Sequence, residues 1–233
     1  MQFVGVIDHL GLACRLEPYL DQIEAEYSAV LVDEMQDFGT IELAIVRRLI
    51  VPGKNDVFLC GDPAQRVQAK HQSLREAGIE ILGARSLKIH RNYRNSREIL
   101  RAAYEILKKA IPDLNVLQGE VELLDPELSN FSTWAPMVLQ GPDLETEFGA
   151  ALDIARQDTQ EENSRACIAF AGFSLRDVQK FGVRVDLPVL DGTKGIEQGR
   201  IFLSDLEQTK GYELDTMCIL NCRESAASTR YPA

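Results

Sequence analysis

Apolar residues along this chain fall into short runs that alternate with longer amphipathic stretches. Short apolar runs bounded by turn-forming residues predict buried β-strands, and apolar residues that recur every three or four positions predict helices. The predicted strands are residues 29–33, 56–61, 165–171, 187–190, 200–204 and 216–220, with shorter strand-like runs within 80–89 and at 138–139. The predicted helices are residues 10–27, 40–50, 64–77, 97–110, 144–156 and 175–181. Strands that alternate with helices predict an α/β fold, in which parallel sheets with right-handed crossovers are flanked by helices.

The regular alternation stops after the helix predicted at residues 97–110. The stretch that follows, near residues 111–164, is acidic and irregular, and it contains prolines at positions 112, 126, 136 and 142. A second interruption, near residues 83–87, separates two sets of predicted strands and helices, and we place a domain boundary there. The sequence therefore predicts one domain over residues 1–84 and a second over residues 85–233.

Two adjacent carboxylates follow the first predicted strand, in the sequence AVLVDEMQDF of residues 29–38. Asp33 and Glu34 would lie at the carboxyl end of that strand, where α/β sheets bind ligands. One carboxylate there can hold Mg²⁺ through its water shell, and the next can orient or deprotonate an attacking water. This pairing suits the hydrolysis of a nucleoside triphosphate. The alternative interpretation is a solvated acidic turn after a buried strand.

Another strand ends in a tight turn, in the sequence VFLCGDPAQ of residues 57–65. Asp62 is a suitable N-cap and Pro63 fits the first turn of a helix. Gln65 would then project toward the sheet edge that carries the two carboxylates. The alternative interpretation is a capped strand-to-helix turn with no catalytic role.

Two further loops carry side chains suited to nucleotide or nucleic-acid contacts. In the sequence NYRNS of residues 92–96, an aromatic ring next to an arginine can stack on a base and pair with a phosphate, and Ser96 can cap the next helix. In the sequence QTKGYE of residues 208–213, Gly211 would adopt a positive φ in a turn between two strands. The alternatives are a tyrosine packed on the core beside a surface arginine, and an ordinary turn.

Taken in order, the sequences DEMQD, GDPAQ, NYRNS and TKGYE resemble motifs II, III, IV and V of superfamily 1 DNA helicases of the UvrD/Rep type. Each motif alone is weak, but all of them in this order, each after an apolar strand, make a specific pattern. The resemblance extends from about residue 29 to residue 220, although residues 112–164 carry no motif. It implies RecA-like motor domains, with residues 1–84 as the C-terminal part of the first (1A-type) and residues 85–233 as the second (2A-type).

The resemblance further implies that ATP and Mg²⁺ bind between the two domains. From the first domain, Asp33 would coordinate Mg²⁺ and Glu34 would activate the hydrolytic water. Gln65 would sense the γ-phosphate and couple it to DNA. Gln36 and Asp37 would join the network between ATP and the DNA groove.

The same resemblance assigns roles to residues of the second domain. Tyr93 would stack on the adenine, and Arg94 would reach the γ-phosphate as an arginine finger. Glu213 would contact the ribose, in a loop shaped by Lys210 and Gly211. These side chains would complete the nucleotide site.

The sequence departs from the family at the phosphate-binding loop. It contains no G-x-x-x-x-G-K-[ST] motif, and its only Gly-Lys pair, at residues 53–54, lacks the required flanking residues. The upstream adenine-binding glutamine motif is absent as well, and Asp205 and Glu207 replace the usual Thr and His of motif V. We therefore expect this chain to be inactive alone, and we expect its partner to be the missing N-terminal P-loop region of a parent protein.

Composition restricts where nucleic acid could bind. The 233 residues carry a formal net charge of −11, which opposes binding to DNA. Residues 85–109 nevertheless hold eight Lys and Arg against two Glu, a net charge of +6. The arginines that recur there at helical spacing form either a phosphate-facing helix edge or a solvated face. They are Arg91, Arg94, Arg97 and Arg101.

The remaining sequence features concern location and cysteine chemistry. No apolar run approaches transmembrane length, and the first residues lack a signal-peptide pattern, so we expect no membrane partner. The five cysteines have no metal-binding spacing, and we expect Cys60 and Cys218 to be buried apolar residues. These features predict a cytoplasmic protein.

Two functions remain open from the sequence. The first is part of an ATP-dependent DNA helicase, which would translocate on single-stranded DNA, 3′→5′ by resemblance, and unwind partly duplex DNA in a pathway such as DNA repair. The second is a non-catalytic helicase-like module that binds DNA or a protein partner. The absent P-loop favours the second for this chain by itself, and the retained residues of both domains favour the first for its parent.

Overall fold

The computed structural model describes residues 9–65, 70–81, 85–110, 129–192 and 199–222. The chain divides into two compact units, Met1–Pro136 and Met137–Ala233. The domain limit predicted between residues 84 and 85 remains a prediction, and packing within this chain groups residues 85–136 with the first unit. Parts of the predicted helix at 64–77, of the runs within 80–89 and of the acidic stretch lie outside the described residues.

The first unit is built on a pair of parallel strands. Its described helices and strands are α1 (His9–Leu16), β1 (Val30–Val32), α2 (Thr40–Arg48), β2 (Val57–Leu59) and α3 (Arg97–Ala110). Strands β1 and β2 pair in register, with Leu31 opposite Phe58. Leu43 of α2 is fully buried with Ala77 and Ile79, and this small core covers one face of the strand pair through Leu59.

Two predicted helices of the first unit are wrong in part. The helix predicted at residues 10–27 ends at Leu16 and continues as a 3₁₀ turn, Glu17–Gln22, because Pro18 lacks the N–H that a continuing α-helix needs. Of the helix predicted at residues 64–77, the described residues 64 and 65 belong to a 3₁₀ turn, Pro63–Gln65, and the described residues 70–77 are not helical. Residues 80, 81 and 85–89 form no strand.

The second unit contains a three-stranded parallel sheet. Its described helices and strands are α4 (Leu144–Asp158), β3 (Ala166–Phe170), α5 (Leu175–Val185), β4 (Ile201–Asp205) and β5 (Thr216–Leu220). The strand order is β4-β3-β5, and every side chain of the central strand β3 is buried. Three aromatic rings, Phe148, Phe170 and Phe181, pack against one another between the helices and the sheet. The predicted α/β fold with parallel sheets is therefore confirmed.

Side-chain capping explains where the two helices of this unit begin. Helix α4 begins where Asp143 accepts a hydrogen bond from the Thr146 backbone N–H at 2.8 Å, and Ser174 caps α5 in the same way. The strand predicted at 187–190 is a single bridge between Val189 and Leu203. The run at residues 138–139 is exposed and forms no strand.

Two cysteine predictions have different outcomes. Cys60, predicted to be buried, is exposed because β2 ends one residue earlier. Cys218 lies in β5 and is half-buried.

Among the described residues, no helix has both the length and the apolar character needed to cross a bilayer.

Candidate functional site

Asp33 and Glu34 follow β1 directly, at the carboxyl edge of the strand pair. The exposed Asp33 carboxylate accepts a hydrogen bond from the Glu34 backbone N–H at 2.8 Å. Glu34 has a φ of 54°, a left-handed conformation that is uncommon for residues other than glycine. It turns the chain sharply from β1 into the 3₁₀ turn Met35–Asp37. Backbone strain of this kind is found preferentially at functional sites.

Gln36 connects this turn to the end of the neighbouring strand. Its side chain is buried, and its amide Nε2 donates to the Glu34 carboxylate oxygen Oε2. Its Oε1 accepts a hydrogen bond from the backbone N–H of Asp62 at 3.0 Å. A single buried amide therefore restrains both the glutamate after β1 and the turn after β2.

The close approach of the two turns explains why residue 61 is a glycine. A Cβ on Gly61 would overlap Gln36 Oε1 and would lie 2.7 Å from Met35 Cγ and 3.0 Å from the Met35 backbone nitrogen. The Met35 backbone N–H also donates to the carbonyl of Cys60 at 2.9 Å. Only a residue without a side chain fits between these groups.

Gln65 extends the connection by one more side chain. Its amide donates to the Asp62 carboxylate at 3.0 Å, and its backbone N–H donates to the Asp62 carbonyl, also at 3.0 Å. A continuous path of hydrogen bonds thus runs from Gln65 through Asp62 and Gln36 to Glu34. The hydrogen bonds connect Glu34 with Gln65, and the functional roles expected of Asp33, Glu34 and Gln65 stay predictions.

A segment that sequence reasoning missed holds the same turn from another side. We call residues 70–73 the clasp. Gln72 donates from one amide nitrogen to the carbonyl of Met35 at 2.7 Å and to that of Phe38 at 2.8 Å. These carbonyls belong to the first residue of the 3₁₀ turn and to the residue that follows it, so the clasp fixes the turn next to Glu34. No local sequence pattern could reveal this, because the partners lie more than 30 positions apart.

Lys70 is the second anchor of the clasp. Its ammonium donates to the Asp37 carbonyl at 3.0 Å and to the Glu42 carboxylate at 2.7 Å. Glu42 also accepts the Gly39 backbone N–H at 2.9 Å at the start of α2. Burial opposes ionisation of Glu42, but the hydrogen bonds and the charge of Lys70 outweigh it and lower the pKa of Glu42. The ion pair therefore joins the clasp, the turn and α2.

Tyr93 and Arg94 lie in the loop that precedes α3. The Asn92 side-chain oxygen accepts hydrogen bonds from the backbone N–H groups of Arg94, at 2.9 Å, and of Asn95, at 2.7 Å. The buried Ser96 caps α3, as predicted, by accepting from the Ile99 N–H at 3.3 Å. The loop is thus fixed at its base, while the Tyr93 ring is 68% exposed and accessible for stacking.

Lys210, Gly211 and Glu213 lie in the second unit, between a 3₁₀ turn, Glu207–Thr209, and β5. Gly211 has a φ of 85°, which confirms the predicted positive φ. The buried Asp205, which departs from the family motif, accepts the Gln208 backbone N–H at 2.8 Å and so starts the 3₁₀ turn. This hydrogen bond gives Asp205 a structural use, while the Glu213 side chain is exposed.

The chemistry of the acidic pair suits a magnesium ion that is held mainly by phosphate oxygens. Within the described ranges, no group of three or more His, Cys, Asp or Glu is arranged to hold a metal. Mg²⁺ in nucleotide sites is commonly held by one or two carboxylates together with phosphates and water. Asp33 offers an exposed carboxylate at a sheet edge, which fits that part of the site. The sequence supplies no phosphate-binding loop to complete it.

Comparison with known proteins supports the same interpretation. The family described as UvrD/REP helicase N-terminal domain matches residues 6–85, a range that includes Asp33, Glu34 and Gln65. Over these residues the chain is similar to UvrD/Rep-type superfamily 1 helicases. Residues beyond 85, and with them Tyr93, Arg94 and Glu213, lie outside the family match.

Two relatives are similar to this chain over a small part of their own length. It is 28% identical over 110 residues to the ATP-dependent DNA helicase srs2 of Schizosaccharomyces pombe. The aligned region covers 45% of this chain and 12% of the relative. It is 26% identical over 135 residues to the RecBCD enzyme subunit RecB of Chlamydia pneumoniae. That aligned region covers 54% of this chain and 13% of the relative. The chain thus spans about an eighth of the length of either relative.

Proposed function

We propose that this chain forms part of an ATP-dependent DNA helicase that translocates on single-stranded DNA, 3′→5′, and unwinds partly duplex DNA. The observation that carries the proposal is the hydrogen-bonded path from Glu34 through Gln36 and Asp62 to Gln65. It joins two helicase motifs within the range that matches the family. A cytoplasmic location and a role in processes such as DNA repair belong to the same proposal.

The proposed chemistry assigns one task to each residue of the first unit. Bound ATP would supply the phosphoanhydride bond, and bound Mg²⁺ would neutralise the negative charge of its phosphates. Asp33 would hold the metal through its exposed carboxylate. Glu34, oriented by Gln36, would orient a water and accept its proton. Gln65 would contact the terminal phosphate, and its hydrogen bond to Asp62 would relay that contact toward Glu34.

The remaining residues would bind the nucleotide. In the proposal, the exposed Tyr93 ring stacks on the adenine and Arg94 pairs with the γ-phosphate. Glu213 contacts the ribose, in the turn formed by Lys210 and Gly211. These roles rest on the motif order and on the exposure of Tyr93 and Glu213.

The first test is the mass of the native polypeptide in its own cell, measured with an antibody to this chain. A product much larger than 26.0 kDa, with a phosphate-binding loop in its additional sequence, supports the helicase proposal. In that larger protein, Glu34→Gln should lower kcat for ATP by roughly 10²–10⁴-fold while ATP binding is retained. Glu24→Gln, at an exposed position of the same unit, is the matched control and should leave kcat unchanged.

The alternative is a non-catalytic helicase-like module that binds DNA or a protein partner. It is favoured by one observation, the absence of a phosphate-binding loop from the sequence. Under either proposal, the purified chain should hydrolyse ATP negligibly. Turnover by the pure chain that Glu34→Gln abolishes would contradict this expected inactivity and would exclude the non-catalytic module. A native product of 26.0 kDa would favour the non-catalytic module.

A further inference from the structure

Trp134 is the single tryptophan of the chain, and it is 94% exposed. Tryptophan is among the residues that gain most from burial, so a fully exposed indole on an ordered backbone points to a contact made with another molecule. Its neighbours in sequence are uncharged, because residues 129–142 contain no Asp, Glu, Lys or Arg.

The backbone beside Trp134 is fastened to the start of α3. The Thr133 backbone N–H donates to the Glu98 carboxylate at 2.9 Å, and the Phe131 carbonyl accepts the Arg97 backbone N–H at 3.1 Å. The hydrogen bond from Thr133 is the main reason that the pKa of Glu98 is lowered. The exposed indole is therefore presented from a fixed position next to the first turn of α3.

The chain segment that contains α3 differs in charge from the whole chain. Residues 85–109 carry a net charge of +6 within a chain of net charge −11. Arg101 is exposed on α3, one helical turn beyond Glu98, to which the Trp134 segment is fastened. An exposed aromatic ring fastened to a helix that carries an exposed arginine, within a basic segment of the chain, suits a partner that combines flat rings with negative charge.

We propose that Trp134 is a stacking site for a base of single-stranded DNA, and that basic side chains of α3, Arg101 among them, bind the adjoining phosphates. The inference rests on the proposed function, because it names the surface by which this chain would grip the strand. An apolar protein segment would gain from the indole but not from the basic helix. Single-stranded DNA gains from both, and its bases stack on aromatic side chains without regard to sequence.

The test uses the intact purified chain, because emission from its single tryptophan reports residue 134 alone. Oligo(dT) of about twelve nucleotides is titrated at 50 mM and at 200 mM salt, and binding is followed in parallel by the anisotropy of labelled oligo(dT). Tryptophan emission should be quenched along the same binding curve. Mononucleotide at the same nucleotide concentration should quench far less, because it lacks neighbouring phosphates.

Variants separate the two parts of the site. Trp134→Ala should weaken oligo(dT) binding by roughly 5- to 150-fold in anisotropy, whereas Trp134→Phe should recover much of that loss. Tyr19→Ala, which removes another exposed aromatic ring of the same unit, should leave affinity unchanged. Arg101→Gln should reduce the slope of log K against log salt by about 0.7, and Arg15→Gln, at an exposed arginine of α1, should not.

Three outcomes would overturn the inference. Oligo(dT) binding that leaves tryptophan emission unchanged, with equal affinity in Trp134→Ala, would leave the proposed function standing and remove Trp134 from the DNA surface. Equal quenching by mononucleotide would show a nucleotide site instead of a strand-binding site. If anisotropy detects no binding of oligo(dT), the inference is wrong, and DNA binding by this chain is no longer part of the proposed function.

Discussion

At the scale of single residues, the candidate site depends on one buried amide. Glu34 adopts a left-handed conformation, which costs roughly 1–3 kcal/mol for a residue with a side chain. Gln36 offsets part of this cost, because it donates to the Glu34 carboxylate and accepts from the Asp62 N–H. The sequence motif identified candidate functional residues, but only the fold shows that Gln36 orients Glu34.

Gln36→Ala tests this role by its effect on stability. The variant removes the hydrogen bond from the Asp62 N–H and the hydrogen bond to the Glu34 carboxylate, so the free energy of unfolding should fall by about 1–3 kcal/mol. Urea denaturation measures the change. Gln22→Ala, at an exposed position of the same unit, should change it by no more than about 0.5 kcal/mol. Equal values for the two variants would show that Gln36 has no bridging role.

Gly61→Ala tests the close approach of the two turns. The added Cβ would lie 2.7 Å from Met35 Cγ and 3.0 Å from the Met35 nitrogen, so the turns must separate. We expect a loss of about 1–3 kcal/mol in urea denaturation, typical of overpacking. At Gly53, the nearest atom to an added Cβ is 3.8 Å away, so Gly53→Ala is the matched control. A Gly61→Ala protein as stable as the Gly53→Ala protein would refute the steric argument.

At the scale of elements, strands and strongly amphipathic helices could be predicted from the sequence, and the clasp could not. The predicted bounds of α3 and β5 match the structure, because their apolar periodicity agrees with their packing. In the described part of the helix predicted at 64–77, residues 70–77 are not helical, because Lys70 and Gln72 donate to carbonyls of a turn more than 30 positions away. Such tertiary hydrogen bonds override local helix propensity.

The ion pair between Lys70 and Glu42 predicts how acid affects the clasp. Because folding lowers the pKa of Glu42 below 4.5, its contribution to stability is fully present above pH 4.5 and is lost as pH falls through the lower, folded pKa. Glu42→Gln removes this titration. Urea unfolding between pH 7 and pH 3 should show the native chain more stable at pH 7 and the difference shrinking below pH 4.5.

A control locates that acid effect in the clasp. Glu24→Gln replaces an exposed glutamate of the same unit and should leave the pH profile parallel to that of the native chain. If the stability difference between the native chain and Glu42→Gln stays constant from pH 7 to pH 3, the ion pair does not hold the clasp.

At the scale of the whole molecule, the two units have separate hydrophobic cores. Leu43 is central to the small core of the first unit, and Ile168 lies in the larger core of the second. The α/β class and the parallel sheets followed from the sequence because alternating strands and helices can be packed in few ways. The domain limit placed between residues 84 and 85 stays a prediction. The division into Met1–Pro136 and Met137–Ala233 depends on contacts between residues that are distant in sequence, which no local pattern encodes.

Separate cores predict separate responses to core substitutions. Ile168 and Leu43 are both fully buried, so truncation of either to alanine should cost about 2–5 kcal/mol in its own unit. In hydrogen exchange followed by mass spectrometry, Ile168→Ala should speed exchange in β3, β4 and β5 and leave β1 and β2 unchanged, because each substitution creates a cavity in one core only. Leu43→Ala should give the reverse pattern. If either variant accelerates exchange equally in all five strands, the chain unfolds as one cooperative body, and the separate cores are not separate units of stability.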